Sequence, residues 1–239
     1  CLLTVDFSGP ILKKYDKERE PMSHFLYLSD VFCPWCYGFA PVMQRLAAEH
    51  PDLPVRVLGG DLVGQATTLT EMKAGSPNLR DFFVRLEKTT AQPVGGFLAA
   101  LDADRPLRMY SPDAAVLLAA LKRLAPGHEL AQMECLQQLL YRAGRDVLSA
   151  DVREATAARW NVDPLLLERA LDDPAVREAA EKETREAAAL MGEFKLYPTL
   201  YLVRDDGRSL LARGYASYAT TAARLEAALS GNSAGFAGG

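Results

Sequence analysis

Residues 30–43 read DVFCPWCYGFAPVM and contain two of the chain's four cysteines, Cys33 and Cys36. Apolar residues recur at helical spacing after the motif, which predicts a helix that begins there. Pro34 suits the first helical turn, where no backbone donor is lost, and Pro41 should kink the helix one or two turns later. Cys33 then lies at the helix N-terminus, where unpaired amides and the helix dipole favour a thiolate.

The spacing of the two cysteines also has a chemical meaning. Cys36 follows one turn after Cys33 on the same face, so the two sulfurs can form a disulfide. Attack by one thiolate and resolution by a second thiol are the two steps of dithiol–disulfide exchange. Spacing alone leaves two other interpretations open, a pair of buried structural cysteines and half of a metal site. A strand before the motif and a helix after it favour the redox interpretation.

The order of the predicted elements places the motif in a β-α-β unit. Strands are predicted at 25–32 (FLYLSDVF) and 53–60 (LPVRVLGG), which favours a parallel pair joined by the motif helix. A long helical block follows, in which residues 92–111 show no clear pattern. PTLYLVRDDGRSLLARGY at 198–215 predicts a hairpin that turns at Asp206 and Gly207. Helices are predicted at 34–50, 77–91, 112–124, 128–143, 150–160, 164–171, 174–191 and 218–229.

The composition excludes several classes of protein. Hydrophobic residues make up 49% and charged residues 24% of the 239 residues, as in ordinary globular domains. The net charge of −4 argues against nucleic acid or an anionic membrane as the main partner, and no apolar run approaches the roughly 18 residues of a membrane span. Four cysteines do not make a disulfide framework, and Cys1 and Cys135 stand alone, so the spacing predicts no four-cysteine zinc site.

Two segments far apart in the chain resemble the thioredoxin superfamily. CPWCYGFAP at 33–41 is similar to the superfamily's active-site helix, and YPTLYLVRDDGRSLLARGY at 197–215 is similar to its cis-proline loop and closing hairpin. The helical block resembles the DsbA-like arrangement, and within that group the FrnE-type dithiol–disulfide isomerases of bacteria. The resemblance covers about residues 23–230. It implies an α/β protein with a thioredoxin-like fold and a large all-α insertion between the β-α-β and β-β-α halves.

The resemblance also implies a function and the residues that carry it. The expected enzyme is a thiol–disulfide oxidoreductase or protein disulfide isomerase that acts on cysteine-containing proteins or peptides, with glutathione or another thiol as donor. Cys33 is the attacking thiolate and Cys36 resolves the mixed disulfide, so no bound cofactor and no metal are needed. Pro198 shapes the substrate groove and keeps metal off the thiols. Trp35 and Tyr197 complete the predicted substrate-binding set.

Two positions depart from the superfamily's pattern. Many members carry an acid six residues before the first cysteine, where this chain has Tyr27. Asp30 is the nearest acid and a weak substitute, and a solvated or turn-capping aspartate is the favoured interpretation. Trp35 stands where well-known periplasmic oxidants carry histidine. An indole adds no charge to stabilise a thiolate, so strong oxidising power does not follow.

Two other functions compete with the first. Related glutathione-dependent enzymes, of the chromene-carboxylate isomerase and kappa-transferase type, act on small molecules. They usually have serine at the first motif position and no resolving cysteine, so Cys33 and Cys36 count against that branch. The third candidate is a non-catalytic binding module, such as a zinc-holding scaffold. His24 as a zinc ligand is disfavoured, and Cys135 is more simply a packed core thiol than a redox partner.

The predicted domain boundaries follow from the same resemblance. Residues 22–65 and 195–231 form the thioredoxin-like domain, and 66–194 form the helical insertion, packed over the active-site helix. Residues 1–21 are expected to be an extension before a natural start at Met22, and 232–239 a flexible tail. No secretory signal is recognised, and a cytoplasmic location is expected.

Two geometric expectations concern the site itself. The helix N-terminus acts most strongly on the first cysteine, so Cys33 should be a partly exposed thiol and Cys36 the buried one. The Tyr197–Pro198 bond should be cis and lie beside Cys33, because Pro198 directly precedes a strand and matches the superfamily's cis-proline position.

Overall fold

The computed structural model describes residues 23–230. The expectations for 1–21 and for 232–239 lie outside the described residues. Within the described part of the chain, no helix is both long enough and apolar enough to cross a membrane.

The four longer strands lie near the two ends of the described chain, most helices and two short strands lie between them, and a helix ends the described chain. The strands are β1 (Ser23–Ser29), β2 (Val55–Gly59), β3 (Thr67–Thr68), β4 (Arg108–Met109), β5 (Thr199–Arg204) and β6 (Gly207–Arg213). The helices are α1 (Pro34–Glu49), α2 (Leu69–Gly75), α3 (Leu79–Thr90), α4 (Gly95–Asp102), α5 (Ser111–Leu124), α6 (Glu129–Tyr141), α7 (Ala150–Arg159), α8 (Pro164–Asp172), α9 (Pro174–Met191) and α10 (Tyr218–Leu229).

The main sheet joins strands from both halves of the chain in the order β2-β1-β5-β6. β1 runs parallel to β2 and antiparallel to β5. A parallel pair needs a crossover connection, which α1 supplies. β5 and β6 form the predicted hairpin, but its turn is Asp205 and Asp206, one residue earlier than the sequence predicts, and Gly207 opens β6. β1, which leads into the motif helix, is therefore paired with β5, which follows Pro198, and this pairing brings the two segments close together.

Both faces of the sheet are covered. Side chains alternate along β1, so successive residues of this strand enter different clusters. Phe25 and Tyr27 point into the larger core, which extends into α1 and the helical block. Leu26 and Leu28 point to the other face, into a smaller cluster that includes Met191 of α9 and both motif cysteines. α3 and α6 pack against α1, so the block lies over the motif helix as the sequence predicts. The insertion boundaries at 66 and 194 stay a prediction.

The six predicted helices of the block agree with α3 and α5–α9 to within two residues at each end. The sequence does not predict α2, α4 or the short β3–β4 pair. α2 begins with a capping box between Thr68 and Glu71, a readable signal. α4 begins with two glycines, which lower helix propensity, and packing of Phe97 and Leu101 into the core supports it.

Candidate active site

Cys33 is the N-cap residue of α1. Its sulfur accepts a hydrogen bond from the Cys36 amide at 3.3 Å. Its carbonyl oxygen accepts from the amides of Cys36 and Tyr37 at 3.1 and 3.2 Å. The sulfur therefore fills the position at which a helix N-terminus stabilises an anion, as the sequence predicts.

Cys36 is completely buried one turn further along α1. Burial, and then the neighbouring Cys33, raises the pKa of the Cys36 thiol. The nearby Asp30 amide and Ser29 hydroxyl act in the opposite direction and lower the pKa of Cys36. Cys36 is held as a neutral thiol, and these two donors are the groups that favour its ionised form.

Cys33 is buried too, with 2% of its surface exposed, so the prediction of a partly exposed first cysteine is wrong. Its sulfur lies 3.7 Å from the carbonyl oxygen of Tyr197 and belongs to the same apolar cluster as Leu26 and Leu28. These neighbours come from β1 and from the segment before β5, so the spacing around the motif carries no sign of them. A substrate can reach this sulfur only if the residues that bury it move locally.

The Tyr197–Pro198 bond is cis, which confirms the prediction, and it lies beside Cys33. The Cys33 thiol donates to the Tyr197 carbonyl oxygen across 164 residues of sequence. The Pro198 carbonyl accepts from the Gly214 amide at 2.7 Å, which ties this segment to the end of β6. Four of the five predicted site residues therefore come together. They are Cys33, Tyr197 and Pro198, with Cys36 one turn further along α1.

Trp35, the fifth, lies half-buried on the first turn of α1. Its ring packs edge-on against Phe82, with 5.9 Å between ring centroids, and at a tilt against Tyr215, at 5.7 Å. It thus joins the motif to the helical block and to the segment after β6, and whether it also contacts substrate stays a prediction.

Exposed apolar side chains surround the segment that carries Pro198. Phe194 is 75% exposed and Leu196 is 45% exposed, and both lie in the loop between α9 and β5. Leu62, 50% exposed, follows Asp61, whose carboxylate binds both Lys195 and the Tyr197 hydroxyl. We call Leu62, Phe194 and Leu196 the apolar rim.

Asp30 is buried, so its interpretation as a solvated residue is wrong, and turn capping is confirmed. Its carboxylate accepts from the Phe32 amide at 2.7 Å and from the Leu62 amide at 3.0 Å. Burial raises the pKa of Asp30, and these two amides act against that rise. Tyr27, at the position where the superfamily often has an acid, donates to the Cys36 carbonyl oxygen at 3.4 Å.

A glutamine from the helical block reaches the second cysteine indirectly. Gln137 of α6 is buried and donates through Nε2 to the Ser29 hydroxyl at 3.3 Å and to the Asp30 carbonyl oxygen at 3.0 Å. Because Ser29 accepts from Gln137, its own proton is available to the sulfur of Cys36. Gln137 therefore helps to orient the group that favours the Cys36 thiolate.

No prediction from the sequence concerned this face of α6. Glu134, Gln137 and Tyr141 recur at intervals of three and four residues, and all three are buried. Polar residues on the buried face of a predicted helix were the available signal. Cys135, which the sequence predicts to be a packed core thiol, is only half-buried and lies next to this face.

Within residues 23–230, no group of three or more His, Cys, Asp and Glu side chains is placed to hold a metal ion. His24 is buried at the start of β1, and its Nδ1 has no hydrogen-bond partner in the described part of the chain. Function without metal stays a prediction.

A family model of the DSBA-like thioredoxin domain matches residues 27–192, which include the dithiol motif and the helical block. The chain belongs to this family. The DsbA-like assignment from the sequence is thereby confirmed, together with the mixed α/β thioredoxin fold. In general terms, this DSBA-like chain is a thiol oxidoreductase with a Cys33–Cys36 pair.

Several solved structures share the DSBA-like fold. A proposed protein disulfide isomerase from Nitrosomonas europaea is 19% identical with a TM-score of 0.74, over 87% of this chain and 98% of that one. The cytosolic disulfide reductase DsbM from Pseudomonas aeruginosa is 24% identical with a TM-score of 0.67, over the same shares. A 2-hydroxychromene-2-carboxylate isomerase is 16% identical with a TM-score of 0.59, over 86% and 94%. At these identities the similarity concerns the fold.

A curated sequence also matches part of the DSBA-like chain. Mitochondrial thioredoxin O of Oryza sativa subsp. japonica is 28% identical over 79 residues, which are 33% of this chain and 44% of that protein. The chain thus spans less than half the length of this relative, and the match does not transfer its activity.

In this DSBA-like domain, replacing Gln137 with leucine is expected to slow the reaction of Cys36 about threefold. Leucine cannot donate to Ser29, so the hydroxyl loses the contact that orients it toward the sulfur. The loss of one hydrogen bond, about 1 kcal/mol, is partly offset because a more basic thiolate is more nucleophilic. The measurement is the rate at which Cys36 releases glutathione from a mixed disulfide formed on Cys33.

Gln132 provides the matched control for that variant. It is a second buried glutamine on α6, and it donates to the carbonyl oxygens of Leu121 and Ala125. Gln132→Leu should lower stability and leave the release rate unchanged. Equal slowing by both variants would mean that α6 has loosened, and would contradict the role of Gln137.

Stability should fall as the pH rises from about 5 to about 8 because of Glu134. Burial raises the pKa of this carboxyl from 4.5 to about 7, although Gln44 donates to it at 2.8 Å. Between these two values the folded state holds a proton that the unfolded state has lost, so raising the pH favours unfolding, by on the order of 3 kcal/mol in total. Glu134→Gln should remove this contribution, and urea unfolding at pH 5 and pH 8 measures it. An unchanged pH dependence in the variant would contradict the assignment.

Proposed function

We propose that this chain catalyses dithiol–disulfide exchange on the cysteines of proteins or peptides. The observation that carries the proposal is the position of the Cys33 sulfur, at the N-cap of α1 and beside the Tyr197 carbonyl that precedes Pro198. Cys36 lies one turn below, with donors that favour its ionised form. An N-terminal thiolate, a second thiol within reach and a neighbouring backbone segment are what exchange requires.

The proposed reaction has two steps. The Cys33 thiolate attacks one sulfur of a substrate disulfide, so a mixed disulfide forms and one substrate sulfur leaves as a thiolate that takes up a proton. The Cys36 thiol then loses its proton and attacks the Cys33 sulfur, which releases the second substrate thiol. The chain ends as the Cys33–Cys36 disulfide, and two electrons have passed to the substrate. Oxidation of a substrate dithiol follows the same steps in reverse.

The apolar rim favours polypeptide substrates. Leu62, Phe194 and Leu196 expose large apolar side chains on the loops that flank Tyr197, and such surfaces bind apolar segments of partners. Glutathione is the proposed small thiol donor, and the structure of DsbM with glutathione supports it by analogy. A cytoplasmic location is proposed on the same analogy, since that relative is described as cytosolic.

The test combines a redox titration with two activity assays. Titration against glutathione gives the reduction potential, while insulin reduction and the reactivation of scrambled ribonuclease A measure reductase and isomerase activity. A reduction potential near the cytosolic glutathione poise, together with either activity, supports the proposal. The larger of the two activities identifies the dominant reaction. A Cys33–Cys36 disulfide that forms normally but exchanges with neither protein would contradict protein substrates.

A glutathione-dependent isomerase or transferase of small molecules is the second candidate. The fold shared with a 2-hydroxychromene-2-carboxylate isomerase favours it, and the resolving Cys36 counts against it. The Cys36→Ser variant separates the two functions, because it should lose protein disulfide exchange and retain any glutathione-dependent isomerisation.

A further inference from the structure

A cavity of about 620 Å³ opens beside the first turn of α1. Phe32 and Pro34, the two neighbours of Cys33 in sequence, contribute to its wall, and the rest comes from the helical block and the loop after β2. This volume lies within the roughly 300–1,000 Å³ of pockets that bind small organic molecules. The cavity shares Leu62 with the apolar rim, but most of its wall comes from the helical block, and Phe194 and Leu196 do not line it.

The interior of the cavity is apolar and its mouth is polar. Phe82 and Phe83 of α3, Phe97 of α4 and Met109 of β4 supply the apolar wall. Ser76, Asn78 and Arg85 are the polar lining residues, and all three are exposed. An amphipathic ligand could place its apolar part inside and its polar part at the mouth.

Two polar groups of the lining lack partners in the described structure. Within residues 23–230, the Arg85 guanidinium forms no salt bridge, although the chain as a whole carries a net charge of −4. Tyr141 forms part of the inner wall, and its hydroxyl is buried without a hydrogen-bond partner among those residues. Buried polar groups are nearly always paired, so an unpaired one calls for an explanation.

We propose that this cavity binds a small organic acid that carries an aromatic or alicyclic ring. The ring lies against Phe82, Phe83 and Phe97, and the acid faces Arg85 at the mouth. A hydroxyl or carbonyl on the ring supplies the partner that Tyr141 lacks, after a small movement of the inner wall uncovers this buried hydroxyl. The volume exceeds that of any single side chain, which favours a whole small molecule over one residue of a polypeptide substrate. The proposal does not rest on disulfide exchange.

The probe is 8-anilinonaphthalene-1-sulfonate, which combines aromatic rings, an N–H group and an acid, and which fluoresces when it leaves water. The folded chain should bind it with saturation at one site, and the Cys33→Ser/Cys36→Ser protein should bind it equally. Binding that never saturates, or that needs the dithiol, would overturn the proposal.

Three variants test the individual contacts, and two of them have a matched control variant. Val63, which is half-buried, lines the cavity, and Val63→Trp should weaken binding at least about tenfold by filling it. Val84→Trp, on an exposed residue of α3 outside the cavity, should have no effect. Tyr141→Phe should weaken binding about fivefold, whereas Tyr201→Phe, which loses a hydrogen bond to the Leu190 carbonyl, should not.

Arg85→Gln should weaken binding about threefold at low salt, and the difference should shrink at high salt.

Unchanged affinity in both Val63→Trp and Tyr141→Phe would overturn the site. An unfolded polypeptide that displaces the probe, with the same sensitivity to Val63→Trp, would assign the cavity to protein substrates and would also overturn the proposal. A stability measurement guards against misfolding: Tyr141→Phe should unfold at the same temperature as the parent or higher, because it removes an unpaired buried hydroxyl.

Discussion

Replacing Cys33 with serine is expected to lower the rate of thiol–disulfide exchange by at least about a thousandfold. A serine hydroxyl at the N-cap of α1 can still accept from the Cys36 amide, so the helix should form normally. The hydroxyl is not ionised near neutral pH, so the site loses its nucleophile. Insulin reduction, followed by turbidity, measures the change.

Two further variants make this comparison specific. Cys36→Ser should accumulate mixed disulfides between Cys33 and substrate, visible by mass spectrometry, because the resolving thiol is missing. Cys135→Ser should exchange at the parent rate, since this half-buried thiol has its pKa raised by burial and is not part of the motif. Exchange at the parent rate in Cys33→Ser would refute its role as the attacking thiol. A lack of adducts in Cys36→Ser would refute the resolving role.

Replacing Gly96 with alanine should destabilise the chain by about 3 kcal/mol. Gly96 lies in the first turn of α4, against the segment that ends α6. An added Cβ would meet the backbone there, at 2.5 Å from the carbonyl carbon of Ala143 and 2.6 Å from the amide nitrogen of Gly144, and would also collide with the Arg142 carbonyl oxygen. Backbone cannot rotate away as a side chain can, so one of the two helices must shift. Thermal unfolding should show a drop of about 6–12 °C.

Gly95 is the control, because it precedes Gly96 on the same helix and an added Cβ there meets nothing within 4 Å. Gly95→Ala should leave the unfolding temperature unchanged or raise it slightly, since alanine favours a helix more than glycine does. Equal unfolding temperatures for Gly95→Ala and Gly96→Ala would mean that close backbone packing does not require glycine at position 96.

Short-range signals in the sequence were enough for the elements that depend on neighbouring residues. Pro34 at the first helical position, followed by an apolar stripe, predicts α1, which begins at that residue. Asp173 and Pro174 predict the start of α9, where the Asp173 carboxylate accepts from the Ala175 amide at 2.9 Å. The proline and aspartate signals act within one helical turn and therefore do not depend on how the rest of the chain folds.

The dithiol motif was also identified from the sequence, by its spacing and its position at a helix N-terminus, whereas the Pro198 segment was identified through resemblance to a superfamily. Nothing in the local pattern around Cys33 says that Tyr197 lies beside it. Two matched motifs in one chain implied that contact, because related folds place them together. The apolar strands of both halves agree with the same sheet, so local and long-range information point to one structure.

Only the tertiary structure decided the burial of Cys33, the contact of Gln137 with Ser29, and the formation of α4. Cys33 is covered from β1 and from the segment before β5, and Gln137 lies 108 residues from Ser29. α4 begins with two glycines that disfavour a helix, and packing into the shared core outweighs that preference. A residue's exposure and hydrogen-bond partners depend on which distant surfaces fold over it, and the pattern of its neighbours along the chain carries no record of those surfaces.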